Sequence, residues 1–166
     1  MAPVQLDPNH SAPILIASLV EMAVNLGGLS RIADIFGAFE MHVHDKVALK
    51  TAEFQSVSVA SDKHVSVVET KKENIAAYLR RLKQDGWTVV GVEQTDTSLV
   101  LGNDHSLPKR AAIVMGAERT GIPGGILAEC DVCFEIRQWG VSRSLNVQTA
   151  AGIVMHEWRR IWGDGA

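Results

Sequence analysis

Apolar runs of strand length alternate with helical patterns along nearly the whole chain, and this alternation constrains the fold more than any other feature. Pro13 to Leu19 reads as a first strand. Asn25 to Phe36 reads as a helix, because Leu26, Leu29, Ala33 and Phe36 recur at steps of three and four. Glu40 to His44 and Val65 to Glu69 read as the second and third strands, with an ambiguous stretch over 48–62, a short helix and a loop, between them. Glu73 to Gln84 is helical, with Ile75, Leu79 and Leu82 inward, Arg80, Arg81 and Lys83 outward, and Gly86 as the stop. Thr88 to Glu93, Ala111 to Met115 and Val132 to Ile136 read as strands four to six. Pro123 opens a short helix. A last helix runs from about Asn146 to Trp162, with Val147, Ala151, Val154, Trp158 and Ile161 on one stripe. The stretch between Glu93 and Arg110 is the longest irregular one. The expected architecture is therefore α/β: a mostly parallel six-stranded sheet with helices on both faces.

Length and composition fit that architecture. The chain has 166 residues, 46% hydrophobic and 21% charged. That is one domain's worth of sequence with ordinary globular composition, which excludes collagen-like, disordered and disulfide-stapled classes. No apolar run approaches the roughly 20 residues of a membrane span. The opening MAPVQLDPNHSAP lacks a basic region followed by an apolar one, so residues 1–12 read as a disordered leader or an expression remnant ahead of a domain at 13–166. A net charge of −3 excludes a general polyanion binder. Cys130 and Cys133 form a lone C-x-x-C ahead of a strand rather than a helix; without further ligands they read as reduced, structural thiols in an intracellular protein. His42 and His44 share one strand face but have no third ligand nearby, so no metal site is expected.

In parallel sheets ligands sit at the carboxyl ends of the strands. That singles out the loops after Leu19, Glu93, Met115 and Ile136, and the unusual segments lie there or just beyond. Asn25-Leu26-Gly27-Gly28-Leu29-Ser30-Arg31 places two glycines at a helix start, with Asn25 as a good N-cap and Arg31 projecting outward. The glycines cost about 1 kcal/mol each against alanine, so close approach of another backbone or of a ligand must offset them. Gly116-Ala117-Glu118-Arg119-Thr120-Gly121-Ile122-Pro123 follows a buried strand and matches neither the dinucleotide nor the P-loop fingerprint. Ser142-Arg143-Ser144-Leu145-Asn146 offers three capping residues where one helix needs one. Trp139, beside this segment, is a candidate substrate or cofactor wall; Trp158 and Trp162 suit dimer or core contacts; and His156 suits a surface position.

Taken together, N-L-G-G-x-x-R, G-x-E-R-x-G-I-P and R-S-L-N-V-x-x-A-A-G resemble, in this order, the SPOUT superfamily. Within it they are most similar to the TrmH branch of RNA ribose 2′-O-methyltransferases, over residues 13 to about 162. Asn-Leu-Gly-Gly-Leu-Ser-Arg, Gly-Val-Glu-Gln-Thr (91–95) and Asp-Val-Cys-Phe-Glu-Ile (131–136) look most like the catalytic domain of the large eukaryotic tRNA guanosine-18 2′-O-methyltransferases.

The resemblance implies a C-terminal deep trefoil knot, an S-adenosylmethionine (AdoMet) cofactor that becomes S-adenosylhomocysteine, no metal, a cytoplasmic homodimer and tRNA as substrate. Ribosomal RNA methylation and a catalytically silent RNA-binding module are the alternatives. It implies catalytic roles for Arg31, Asn25, Glu118, Ser144 and Asn146. It implies a cofactor pocket of Glu93, Met115, Gly116, Ile136, Leu145 and Asn146, with Ile136 and Leu145 offering backbone contacts to the adenine. Ala117 departs from the family's Asn or Ser, and Gln148-Thr149 from its commoner Ser-Val; neither change removes a group the chemistry needs. The family account makes the arginine a base. Because a guanidinium stays protonated, Arg31 reads instead as a phosphate clamp that also stabilises a developing alkoxide. With basic residues scattered in small clusters, the chain is expected to be the catalytic fragment of a longer protein that carries the RNA-binding region elsewhere.

Overall fold

The computed structural model describes residues 12–103 and 105–163. The expected leader lies outside these residues except for Ala12, which is buried. In chain order the strands are β1 (Ile14–Ile16), β2 (Glu40–Val43), β3 (Ser66–Glu69), β4 (Thr88–Val92), β5 (Leu99–Val100), β6 (Ala111–Met115) and β7 (Val132–Glu135). The helices are α1 (Ala23–Ile35), α2 (Ala52–Ser58), α3 (Ile75–Gln84), α4 (Gly124–Leu127) and α5 (Val147–Trp162). The strands form one sheet in the order β3-β2-β1-β6-β4-β7-β5. Every pairing between these strands is parallel.

The sheet has seven strands rather than the expected six. The additional one, β5, lies in the stretch read as irregular and pairs Leu99 with Phe134 and Val100 with Glu135 at the sheet edge. Two residues are too few to show a period of two, which is why the pattern was silent there.

Side-chain alternation sends successive strand residues to opposite faces. Leu15, Met41, Val43, Ile113 and Phe134 pack with α1, α2 and α5, while Ile14, Ile16, Val89, Ala112 and Val114 pack with α3 and α4. β6 lies between β1 and β4 and is buried over all five residues. It therefore reads as a continuous apolar run, as a strand covered on both faces should.

Helix α3 buries Ile75, Leu79 and Leu82 as its periodicity predicts, and it ends at Asp85, followed by Gly86 at φ +82°. The aromatic end of α5 takes the core alternative. Trp158 is fully buried, and its indole donates to the Pro108 carbonyl at 3.1 Å. Trp162 is partly buried and donates to the Leu107 carbonyl at 2.9 Å. These rings close the chain's own core and do not form an exposed patch. The most exposed large apolar side chains next to the strand ends are Trp139 (86%) and Val141 (98%), both in the loop between β7 and α5; Met22 and Leu145 there are less exposed.

Candidate functional site

The loops after β1, β4, β6 and β7 meet at the carboxyl ends of the sheet. The last three contribute most of the lining of a cleft of about 710 Å³, within the range of small-molecule sites. Met115, Phe134 and Ile136 give it an apolar floor, and Glu93, Glu118 and Ser144 give it polar walls. Gly116, Leu145, Asn25 and Asn146 also line it, so nine of the ten sequence-predicted site residues and their neighbours converge here.

Arg31 does not. It lies further along α1, exposed, outside the lining of the cleft, and makes no hydrogen bond or ion pair among the described residues.

Hydrogen bonds tie the three unusual segments together. Helix α1 begins at Ala23, and its N-cap, Met22, brings no capping side chain. Asn25 is therefore not the cap but a residue of the first turn. The cap comes instead from Glu118. Its Oε1 accepts from Met22 N–H at 3.0 Å and Asn25 Nδ2 at 3.0 Å, and its Oε2 accepts from Glu21 N–H at 3.1 Å. A carboxylate suits the positive end of a helix dipole. The other side of the Asn25 carboxamide accepts from Asn146 Nδ2 at 3.2 Å and Gln148 Nε2 at 2.9 Å. Asn146, of the three candidates in its segment, caps α5 by accepting from Gln148 N–H at 2.8 Å.

The strand-to-helix turn after β6 is held from two directions. Ala117 and Gly121 exchange backbone hydrogen bonds at 3.0 and 2.9 Å. Glu93 Oε2 accepts from Ile122 N–H at 3.0 Å. A Cβ at Gly116 would lie 2.7 Å from the Gly121 carbonyl carbon, so the turn's own backbone demands glycine there. The α1 glycines have a similar explanation. A Cβ on Gly27 would come 2.6 Å from the Phe54 carbonyl oxygen, and one on Gly28 would overlap the Gln148 side chain. Close packing of α2 and α5, rather than a ligand, offsets their helical cost.

Burial disfavours ionisation of Glu118, but the hydrogen bonds from Asn25, Met22 and Glu21 outweigh it and hold its carboxyl below the ordinary value. A group with a depressed folded pKa contributes stability above its unfolded value of about 4.3, and the contribution disappears as pH falls through the lower folded value. In urea unfolding, wild type should exceed Glu118→Gln in stability at about pH 7, and the gap should close towards about pH 3. A gap independent of pH would contradict this role for the Glu118 charge.

His42, considered above as half of a metal pair, is buried with its ring nitrogens bonded to Thr70 Oγ1 (2.7 Å) and Glu40 Oε1 (2.8 Å). No group of three or more His, Cys, Asp or Glu among the described residues could hold a metal ion. Cys130 and Cys133 are free thiols behind Gly91, and burial pushes Cys130 up to about 12. His156 is exposed, as expected. Trp139 stands outside the lining of the cleft. Gln148 carries no catalytic expectation in the sequence, yet it proves to be a central hydrogen-bonding partner of the site.

Comparison with known proteins agrees with this geometry. The chain is 39% identical over 149 residues to a tRNA (guanosine(18)-2′-O)-methyltransferase of Saccharomyces cerevisiae, a match covering 90% of this chain and 10% of that protein. It is 36% identical over 156 residues to a tRNA (guanosine(18)-2′-O)-methyltransferase of Mus musculus, covering 94% of this chain and 10% of that protein. The chain thus spans about a tenth of the length of these relatives. Among solved structures, an AdoMet-bound rRNA methyltransferase from Sinorhizobium meliloti superposes with a TM-score of 0.82 at 24% identity, over 94% of this chain and 59% of that one. The model of the SpoU rRNA Methylase family matches residues 12–156. With the motif residues joined at one cleft and a family match over most of its length, the chain belongs to the SpoU rRNA Methylase family.

Proposed function

We propose that this domain transfers a methyl group from AdoMet to a ribose 2′-hydroxyl of RNA, with guanosine 18 of the tRNA D-loop as the target. One observation carries the reading: Asn25 joins Glu118 and Asn146, drawn from three distant segments, at the rim of a cleft at the strand ends. The tRNA target rests on the two relatives above; ribosomal RNA, the substrate in the family's description, is the alternative for the same chemistry.

The cleft fits the cofactor. Met115, Phe134, Ile136 and Leu145 provide apolar surface for a nucleobase, and Glu93 and Glu118 add carboxylates to the cleft's walls. Bound there, AdoMet would supply an electrophilic methyl group. Ile136 and Leu145 would hold the adenine through their backbone, and Gly116 would permit the tight turn that walls the cleft. Ser144 and Asn146 would orient the acceptor ribose at the rim, which can supply much of the rate. Arg31 would grip the neighbouring phosphate and stabilise negative charge developing on the 2′-oxygen, while the proton leaves late, to water or another acceptor. Calorimetry tests the cofactor assignment: AdoMet should bind, and NAD and ATP should not. The reverse order would point to a different nucleotide-binding protein.

Arg31 lies outside the cleft of its own chain, which supports a homodimer in which the arginine of one protomer serves the cleft of its partner. Trp139 and Val141, exposed beside the cleft, supply apolar surface for that association. The reading includes the deep knot: the segments after β6 and β7 line one cleft, with β4 between the two strands they leave. It also places the protein in the cytoplasm, consistent with free thiols at both cysteines.

Part of the basic clusters is paired within the chain. Arg80 and Lys83 pair with Glu129, Arg160 pairs with Glu157, and Arg159 donates to the Phe36 and Gly37 carbonyls. Few phosphate contacts mean weak, salt-sensitive RNA binding, so an RNA-binding region elsewhere in a longer protein would supply the affinity. Light scattering should give a dimer, and tRNA titration at physiological salt should give binding weaker than micromolar. A monomer would contradict the shared site, and submicromolar binding would contradict the need for another region.

A further inference from the structure

Gln148 occupies the first turn of α5, and its side chain turns back over α1. Its Nε2 donates to Asn25 Oδ1 at 2.9 Å and to the Val24 carbonyl at 3.4 Å, while its backbone N–H is held by Asn146. Room for it exists only because position 28 lacks a side chain. A Cβ on Gly28 would fall 1.8 Å from Gln148 Oε1 and 2.2 Å from Cδ. The two residues are therefore matched.

The Asn25 carboxamide that Gln148 reaches is used on both sides. Oδ1 takes donors from α5, and Nδ2 serves Glu118. Its orientation matters, because a turned-over amide would set Oδ1 against the Glu118 carboxylate. Asn146 Nδ2 also favours the observed orientation, but over a longer 3.2 Å and from an exposed residue. Gln148 is the partly buried donor with the shorter bond.

We propose that Gln148, seated over Gly28, is a positioning residue of the methyl-transfer site: it orients Asn25, and through Asn25 it holds the Glu118 and Asn146 loops that wall the AdoMet cleft. This rests on the AdoMet reading above. The requirement is for a donor of the right length. Alanine at 148 removes the side chain, and glutamate keeps the size but cannot donate to Asn25 Oδ1 when ionised. Alanine at 28 acts only by evicting Gln148.

Four variants test this: Gln148→Ala, Gln148→Glu, Gly28→Ala and the Gly28→Ala/Gln148→Ala pair. Two readouts apply: AdoMet affinity by calorimetry, and amide hydrogen exchange at Glu21 and Met22, the N–H groups held by Glu118, in the ligand-free protein. Each single variant should weaken AdoMet binding about tenfold, the scale of one net hydrogen bond, and speed exchange at both amides. The double variant should match Gln148→Ala within about twofold, because the two changes act on one interaction. Gln148→Glu guards against a mere packing effect, since it preserves volume. Additive losses in the double variant, or unchanged exchange and affinity in Gln148→Glu, would overturn the proposal. If wild type fails to bind AdoMet, the functional reading falls, and the exchange measurements still decide the role of Gln148.

Discussion

Replacing Arg31 with alanine is expected to lower methyl transfer by about 10²- to 10³-fold, while AdoMet affinity stays within about twofold. The split follows from where the side chain stands. Arg31 is exposed and lies outside the lining of the cleft, so its loss leaves the cofactor walls intact. It also makes no internal hydrogen bond or ion pair among the described residues, so its removal should leave folding nearly untouched. A guanidinium without internal partners is available to a phosphate and to a developing alkoxide, where loss of one preorganised contact costs about 3–4 kcal/mol. Single-turnover kinetics with saturating RNA, set beside calorimetry with AdoMet, gives both numbers. Near-wild-type turnover would remove Arg31 from the chemistry, and a large loss of AdoMet affinity would place it in the cofactor pocket instead.

Gly116→Val should abolish detectable AdoMet binding in a protein that still folds. A Cβ there would sit 2.7 Å from the Gly121 carbonyl carbon and 2.8 Å from its Cα. Both are backbone atoms and cannot swing aside as a side chain could. The Ala117–Gly121 pairing would have to open, and Ile122 would leave Glu93. The collision is thus within the turn, and the cofactor loses its wall as a consequence. Gly116→Ala meets the same atoms with less bulk and should retain measurable but weakened binding. Circular dichroism establishes that the variant folds, and calorimetry reads affinity. Unchanged affinity in folded Gly116→Val would remove this turn from the cofactor site.

The parts of the fold legible in the sequence were those with a strong local period. Ile75, Leu79 and Leu82 in α3, and Val147, Ala151, Val154 and Trp158 in α5, are buried as spaced. The uninterrupted run Ala111–Met115 forms a strand buried over its whole length. Legibility failed where the controlling contact is distant. The stretch 48–62 stayed ambiguous partly because α2 ends through left-handed Val59, and left-handed Ala60 follows. Neither residue advertises that conformation as glycine would.

At the site, the motifs marked the right loops, but their connections lay beyond local pattern. Asn25 looked like a cap because its residue type caps well; the actual cap reaches α1 from Glu118 after β6. The helix starts at Ala23, ahead of the Asn25 that the pattern favours, and its N-cap, Met22, has no capping side chain. Gln148 looked like a harmless departure from the family motif because nothing in sequence places it over Gly28. Between dimer and core contacts for Trp158 and Trp162 local pattern could not choose, because the Leu107–Pro108 carbonyls that hold their indoles lie some fifty residues away.

The most direct test of the central claim is mass spectrometry of tRNA after incubation with the protein and AdoMet labelled in its methyl group. The account predicts one labelled 2′-O-methyl group, at guanosine 18 of the D-loop, appearing about 10²- to 10³-fold more slowly when Arg31→Ala replaces wild type. Label on a base, or no label on tRNA or ribosomal RNA at concentrations that saturate the dimer, would contradict it.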